Sequence, residues 1–245
     1  MRPAALLICA TPRGGTTLLC DLLAETGATG RPNSFYRAES VAYFAERMGV
    51  ADGPNFERRY LDAIIAEGRG DTDLFSMRVM WQSIADIRAS LSALFPSETT
   101  DAGRIAAAFG TPIYLHVERK DKLAQAISRS KAEQSGLWHR NADGSTREQG
   151  GTYREPQYDR AAIAASIAET TAHEAQWRNW FAREGVAPVE MTYEDLSADP
   201  VAAIRELLVA LDRDPSAADQ IAPRTAKLAD AQSAEWVERF THETM

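Results

Sequence analysis

LLICATPRGGTTLLCDLLAETG, residues 6–27, restricts what this chain can fold into more than any other stretch. The apolar run from Leu6 to Ala10 reads as a buried strand. Thr11 to Gly15 read as a tight turn of small residues, and Thr16 and Thr17 open a helix. A strand, a glycine turn and a helix N-terminus in that order put consecutive backbone N–H groups where an anion can sit. Nucleotide-hydrolysing loops of this layout end in Gly-Lys-Ser/Thr. Here the matching residues are Gly15-Thr16-Thr17, so the lysine is missing, and Arg13 supplies a cation three positions earlier.

The rest of the chain alternates in the same way. Apolar, β-branched and aromatic runs predict strands at 4–10, 74–81 and 111–121. A further strand within 187–196 leads into a short helix. Helical patterns fill 16–26, 39–48, 55–67, 82–94, 101–109, 122–134, 159–184, 199–211 and 223–240. This alternation predicts an α/β fold: three layers, a largely parallel sheet of P-loop nucleotide-binding type, and one domain over 1–245. Residues 135–159 read as a long polar loop, and loops of that length in a compact domain usually serve function. Trp177, Trp180 and Phe181 recur at helical spacing and are expected in the core.

Of the 245 residues 44% are hydrophobic, which excludes a disordered chain. A formal net charge of −8 argues against nucleic-acid binding, which needs a basic footprint. An anionic ligand must therefore be held by a local cationic pocket. Cys9 and Cys20 are expected as buried thiols. The apolar run at Ala4–Ala10 is too short to span a bilayer, so a cytoplasmic protein is expected, compatible with peripheral membrane contact.

A second anion site is suggested by HVERKDKLAQAISRS. Arg119 stands at a strand's carboxyl end, where ligands of open α/β sheets sit, and Ser128 lies in the helix that follows. At this point a family resemblance enters. TPRGGTTLL resembles the 5′-phosphosulfate loop of sulfotransferases, and Arg119 with Ser128 resembles their 3′-phosphate site. GATGRPNSFY, MRVMW, RKDKLAQAISRSKAEQSGLWHR, EAQWRNWFAREGVAPVEMTYEDL and QSAEWVERF are similar to segments of the bacterial sulfotransferase family typified by trehalose 2-sulfotransferase.

The resemblance implies 3′-phosphoadenosine 5′-phosphosulfate as donor, held by Pro12, Arg13, Gly14, Gly15, Thr16, Thr17, Arg119 and Ser128. It implies a saccharide or glycolipid hydroxyl as acceptor, a homodimer, and no metal. Arg13 would also stabilise charge on the departing oxygen. Trp81, Trp138, His139 and Arg140 suit a sugar site, where rings stack on apolar sugar faces. Arg224 and Lys227 form a late basic segment.

One position breaks the family pattern. Where the resemblance implies a glutamate as general base, GRPNSFY has Ser34, and serine cannot accept a proton at neutral pH unless something else takes it on. Three readings stay open. Another base acts, His116 or Glu39; or a different acceptor needs less base catalysis; or the protein binds nucleotide without turnover. A P-loop kinase or nucleotide hydrolase is the competing enzyme class. The missing lysine stands against it, and neither Glu118 nor Glu194 makes a convincing metal-holding strand end.

Overall fold

The computed structural model describes residues 3–140, 145–149, 153–222 and 230–243, with only the backbone described for Arg140 and for 146–149. In chain order the elements are β1 (Ala5–Ala10), α1 (Thr16–Glu25), α2 (Ala38–Arg47), α3 (Phe56–Arg69), β2 (Phe75–Met80), α4 (Ile84–Leu94), α5 (Asp101–Phe109), β3 (Pro112–Glu118), α6 (Lys122–Ser135), β4 (Leu137–Arg140), β5 (Thr146–Gln149), α7 (Arg160–Glu184), β6 (Val189–Thr192), α8 (Tyr193–Ala198), α9 (Pro200–Ala210) and α10 (Ala231–His242).

The main sheet has the order β2-β1-β3-β6, and each neighbouring pair is parallel. All six residues of β1 are buried because helices cover both faces of the sheet. Strand alternation divides them. Leu7 and Cys9 join Phe35, Tyr60, Trp177 and Trp180 in one core, while Leu6, Ile8 and Ala10 join Leu19, Leu196, Leu207 and Leu208 in the other. The chain is thus a three-layer α/β fold with a parallel sheet, as the alternation predicts. Trp177, Trp180 and Phe181 lie in the first core.

Residues 135–159 depart from expectation. They carry a two-stranded antiparallel hairpin, β4–β5. Its strands are only four residues each, LWHR and TREQ, too short for apolar alternation to mark them.

Beyond the sheet, the carboxylate of Asp101 ties three helices together. It accepts from Arg88 of α4 at 2.7 Å and from the Trp180 indole of α7 at 3.1 Å. Burial pushes its pKa up, but these donors outweigh that and hold it below the usual carboxylate range.

The chain leaves α1 through Gly30, whose φ is 71°. A Cβ there would lie 2.2 Å from the Gly68 carbonyl oxygen and 2.6 Å from that of Leu74. The backbone approach fixes how the segment after α1 crosses between α3 and β2. Gly30→Ala is expected to cost about 2 kcal/mol or more, from strain and from displaced backbone. A urea unfolding midpoint equal to that of the parent chain would contradict this packing.

Candidate active site

Strand β1 connects to β2 on one side of it, and β3 to β6 on the other. The loops after β1 and β3 therefore diverge, and a crevice opens between them at the carboxyl ends of the strands. The Ala10 carbonyl, at the end of β1, accepts the Trp177 indole N–H at 3.1 Å. Gln125 of α6 donates to Thr11 Oγ1 at 3.0 Å and to the Pro12 carbonyl at 2.7 Å. Arg13 adopts a left-handed backbone, φ 64°, unusual for a side chain of its size. Its Nε donates to Ser128 Oγ at 3.0 Å and its Nη1 to the Trp138 carbonyl at 2.6 Å.

Gly15 is left-handed too, at 82°, and a Cβ on it would meet the Tyr193 ring at 2.3 Å. Only glycine fits there. No side chain caps α1, so its first-turn amides face the crevice together with the positive end of the helix dipole.

Arg119 stands across this loop. Its guanidinium lies over the Tyr193 ring, 4.6 Å from the centroid, and its Nε is buried without a hydrogen-bond partner among the described residues. Glu194 fixes the turn after Arg119 by accepting the amides of Lys120 at 3.1 Å and Asp121 at 3.2 Å. Burial raises the Glu194 pKa, but those amides and the Arg119 charge lower it further, so the net shift is downward.

One cavity of about 1060 Å³ gathers most of the residues singled out from sequence. Pro12, Arg13, Gly15, Thr16, Thr17, Arg119 and Ser128 line one side, and Ser34, Glu39, Trp138 and His139 also border it. Gly14 lies beneath the loop, its amide turned to the Thr11 carbonyl at 3.3 Å. Glu39 is a solvent-exposed carboxylate 3.0 Å from Arg37. A bond from its own amide, with Arg37, holds its pKa below the usual range. The side chain of Arg140 and residues Arg224 and Lys227 lie outside the described part.

Two placements correct the sequence reading. His116 is 1% exposed, pairs with Cys9 in the strand register, and faces α7. Its ring lies 5.3 Å from that of Phe181, and its Nδ1 is 2.9 Å from Glu190. It does not line the cleft and cannot reach an acceptor there. Trp81 turns inward as well, edge-on to Trp177 at 5.0 Å, so it packs on the core instead of lining a sugar site.

Two residues of the cleft escaped the sequence reading. Arg78 of β2 lies on the α1 face of the sheet. Its Nε donates to Ser34 Oγ at 2.8 Å and its Nη1 to Thr17 Oγ1 at 3.1 Å, so it spans the loop and the segment after α1. The signal was an arginine inside the apolar run FSMRVM. Tyr193, the platform between Gly15 and Arg119, carried no such signal. Among the described residues, no group of three or more His, Cys, Asp or Glu side chains is placed to hold a metal ion.

The lowered pKa of Glu194 has a stability consequence. Its contribution is fully present above the unfolded carboxylate pKa and is lost as pH falls through the lower folded value. Glu194→Gln should cost about 1 kcal/mol at neutral pH, modest because solvent reaches the group. It should also flatten the decline of unfolding free energy on acidification below about pH 4, near the unfolded glutamate pKa. Parallel pH profiles for parent and variant would count against the assignment.

Comparison with known proteins agrees with this geometry. The family described as Stf0 sulphotransferase matches residues 5–243. The trehalose 2-sulfotransferase of Mycobacterium tuberculosis is 28% identical, over 97% of this chain and 94% of that protein. The trehalose 2-sulfotransferase of Mycolicibacterium smegmatis is 27% identical over the same shares. Among solved structures, the sulfotransferase domain from the curacin biosynthetic pathway is similar at 15% identity and a TM-score of 0.49, covering 95% of this chain and 82% of that one. With the family model matching residues 5–243, nearly the whole chain, the chain belongs to the Stf0 sulphotransferase family.

Proposed function

We propose that this protein moves a sulfuryl group from 3′-phosphoadenosine 5′-phosphosulfate to a hydroxyl of a saccharide or glycolipid. The observation that carries the reading is a pair of cationic sites in one cleft. The uncapped amides of α1 with Arg13 make one; Arg119, with its unpartnered buried Nε, makes the other. A buried guanidinium nitrogen without an acceptor costs stability until something completes it. A nucleotide bearing anions at both its 5′ and 3′ positions answers both sites at once. In this reading the loop amides and Arg13 hold the phosphosulfate, and Arg119 with Ser128 holds the 3′-phosphate.

A sulfuryl group carries less charge than a terminal phosphoryl group. Preorganised donors around the bridging oxygen therefore serve where a kinase would use a lysine, and Thr16 stands at that lysine's place. Trp138 offers a ring at the cleft wall for a sugar face. The relatives' name makes trehalose the first acceptor to test. The family resemblance extends the proposal to a cytoplasmic homodimer, which light scattering of purified protein reads directly.

The product nucleotide, 3′-phosphoadenosine 5′-phosphate, should raise the melting temperature, as any ligand of the native state does. Arg119→Ala should weaken its binding about tenfold, the loss of a charge-assisted bond, while barely changing the affinity for adenosine 5′-phosphate. Equal weakening of both would remove Arg119 from the 3′ site. Donor-dependent sulfation of trehalose, detected by mass, tests the reaction itself.

Arg78→Met should lower turnover by about 10²- to 10³-fold, the size seen when one preorganised donor is removed. Product-nucleotide affinity should change far less. A variant with normal turnover would show that Arg78 only holds the walls together.

A further inference from the structure

We propose that the imidazole of His139 takes the proton of the acceptor hydroxyl during transfer, with Thr17 and Arg78 holding the ring in the state that does so. The inference rests on the sulfotransferase reading above. An alcohol attacks well only if its proton leaves with the attack, and the base must sit beside the point of attack. The chain has four histidines. His116 is buried against Phe181, His173 stands on α7 3.8 Å from Glu169, and His242 ends α10. Among the described residues, His139 is the one imidazole lining the cleft.

Its position is specific. Nε2 lies 3.1 Å from Oγ1 of Thr17, the second residue of α1, so the ring stands at the lip of the anion site. The same hydroxyl receives Arg78 Nη1 at 3.1 Å. A guanidinium only donates, and a hydroxyl oxygen accepts up to twice, so the Thr17 hydroxyl donates to Nε2 when the ring carries its proton on Nδ1, the tautomer the proposal requires. In that tautomer the Nε2 lone pair faces the head of α1. From there the contacts run through Thr17 and Arg78 to Ser34, on the wall opposite the hairpin.

Three carboxylates of the cleft are paired with cations. Glu39 is paired with Arg37, Glu133 with Arg129 at 2.7 Å, and Asp230 with Lys131 at 2.5 Å. For Glu39 and Asp230 the paired cation helps hold the carboxyl below its usual range. Charged groups reach His139 from several elements. Arg13 binds the carbonyl of the adjacent Trp138, and Arg78 reaches the ring through Thr17. From α6, Arg129 and Glu133 face the same cleft, and on β5 Glu148 stands opposite His139 in the strand register.

In the step itself the acceptor oxygen bonds to sulfur, and the bond from sulfur to the bridging phosphate oxygen breaks. That electron pair stays on the nucleotide phosphate. The acceptor hydroxyl takes the place of the Thr17 hydroxyl on Nε2, and its proton passes to Nε2 and later to solvent.

His139→Gln keeps a polar side chain but cannot hold the proton. With phosphoadenosine phosphosulfate and trehalose, its turnover should fall about 10²- to 10⁴-fold, with affinity for the product nucleotide within about twofold. The parent enzyme's kcat/KM should fall on acidification through the imidazole range, and the variant should lose that limb. A variant within about threefold of the parent, or one that keeps the limb, overturns the proposal. A second measurement needs no turnover: nitrogen-15 imidazole NMR of the complex with 3′-phosphoadenosine 5′-phosphate at pH 8. An Nδ1–H ring at His139 supports the proposal, and an Nε2–H ring overturns it. A protein that neither binds this nucleotide nor sulfates trehalose refutes the proposed reaction. One that does both with the wrong tautomer refutes the histidine alone.

Discussion

The first turn of α1 carries no side-chain cap, and the cleft is built around those open amides. Helix N-termini are normally closed by a Ser, Thr, Asp or Asn oxygen. Here the residue before the helix is Gly15, left-handed and pressed against the Tyr193 ring. The loop keeps its shape because distant elements hold it from outside. Gln125 of α6 grips its first two residues, Trp177 of α7 holds the end of β1, and Ser128 with the hairpin carbonyl of Trp138 holds Arg13. A left-handed arginine persists only where its surroundings over-determine it. These four partners do so while leaving the amides open to a ligand.

Charge follows the same logic. The chain is acidic overall, yet Arg13, Arg78 and Arg119 converge on one cavity. Among the contacts described, Arg13 rests on a serine hydroxyl and a carbonyl, Arg78 on serine and threonine hydroxyls, and Arg119 on a tyrosine face. Arg88 shows the opposite arrangement, clamped on Asp101 in a purely structural role. An arginine oriented by hydroxyls and rings keeps its field for a ligand; one oriented by a carboxylate has largely spent it. Neutral positioning groups help a protein with net negative charge hold a concentrated anion site.

Much of this was legible from local sequence. Burial on both faces made β1 a continuous apolar run, and its glycines announced the loop. Helix periodicity located the core tryptophans of α7. Information carried by tertiary direction was not legible. Alternation put Tyr114, His116 and Glu118 on one face of β3, but only the packed structure shows that this face meets α7 and Phe181. Arg78 is the converse case. One residue of alternation sets it on the α1 face, beside Thr16 and Thr17, but a lone arginine in a strand does not name its neighbours. The hairpin was hidden for another reason: strands of four residues are too short to leave a hydrophobic pattern to read.

Ser34 acquires a physical meaning from Arg78. A carboxylate at this place, as the family resemblance implies for relatives, would sit within reach of the Arg78 Nε that Ser34 Oγ now accepts at 2.8 Å. Such a pair would neutralise the guanidinium and lower the carboxylate's proton affinity. Serine instead orients Arg78 through a neutral oxygen and leaves its full charge directed along α1 toward Thr17. The positive field at the head of α1 is then stronger. The proposed proton acceptor, the imidazole at Thr17, meets Arg78 only through a neutral hydroxyl, whereas a carboxylate at 34 would bind the guanidinium directly. The serine at 34 and the histidine at 139 are thus the two ends of one hydrogen-bonded chain, and exchanging either end changes what the other is asked to do.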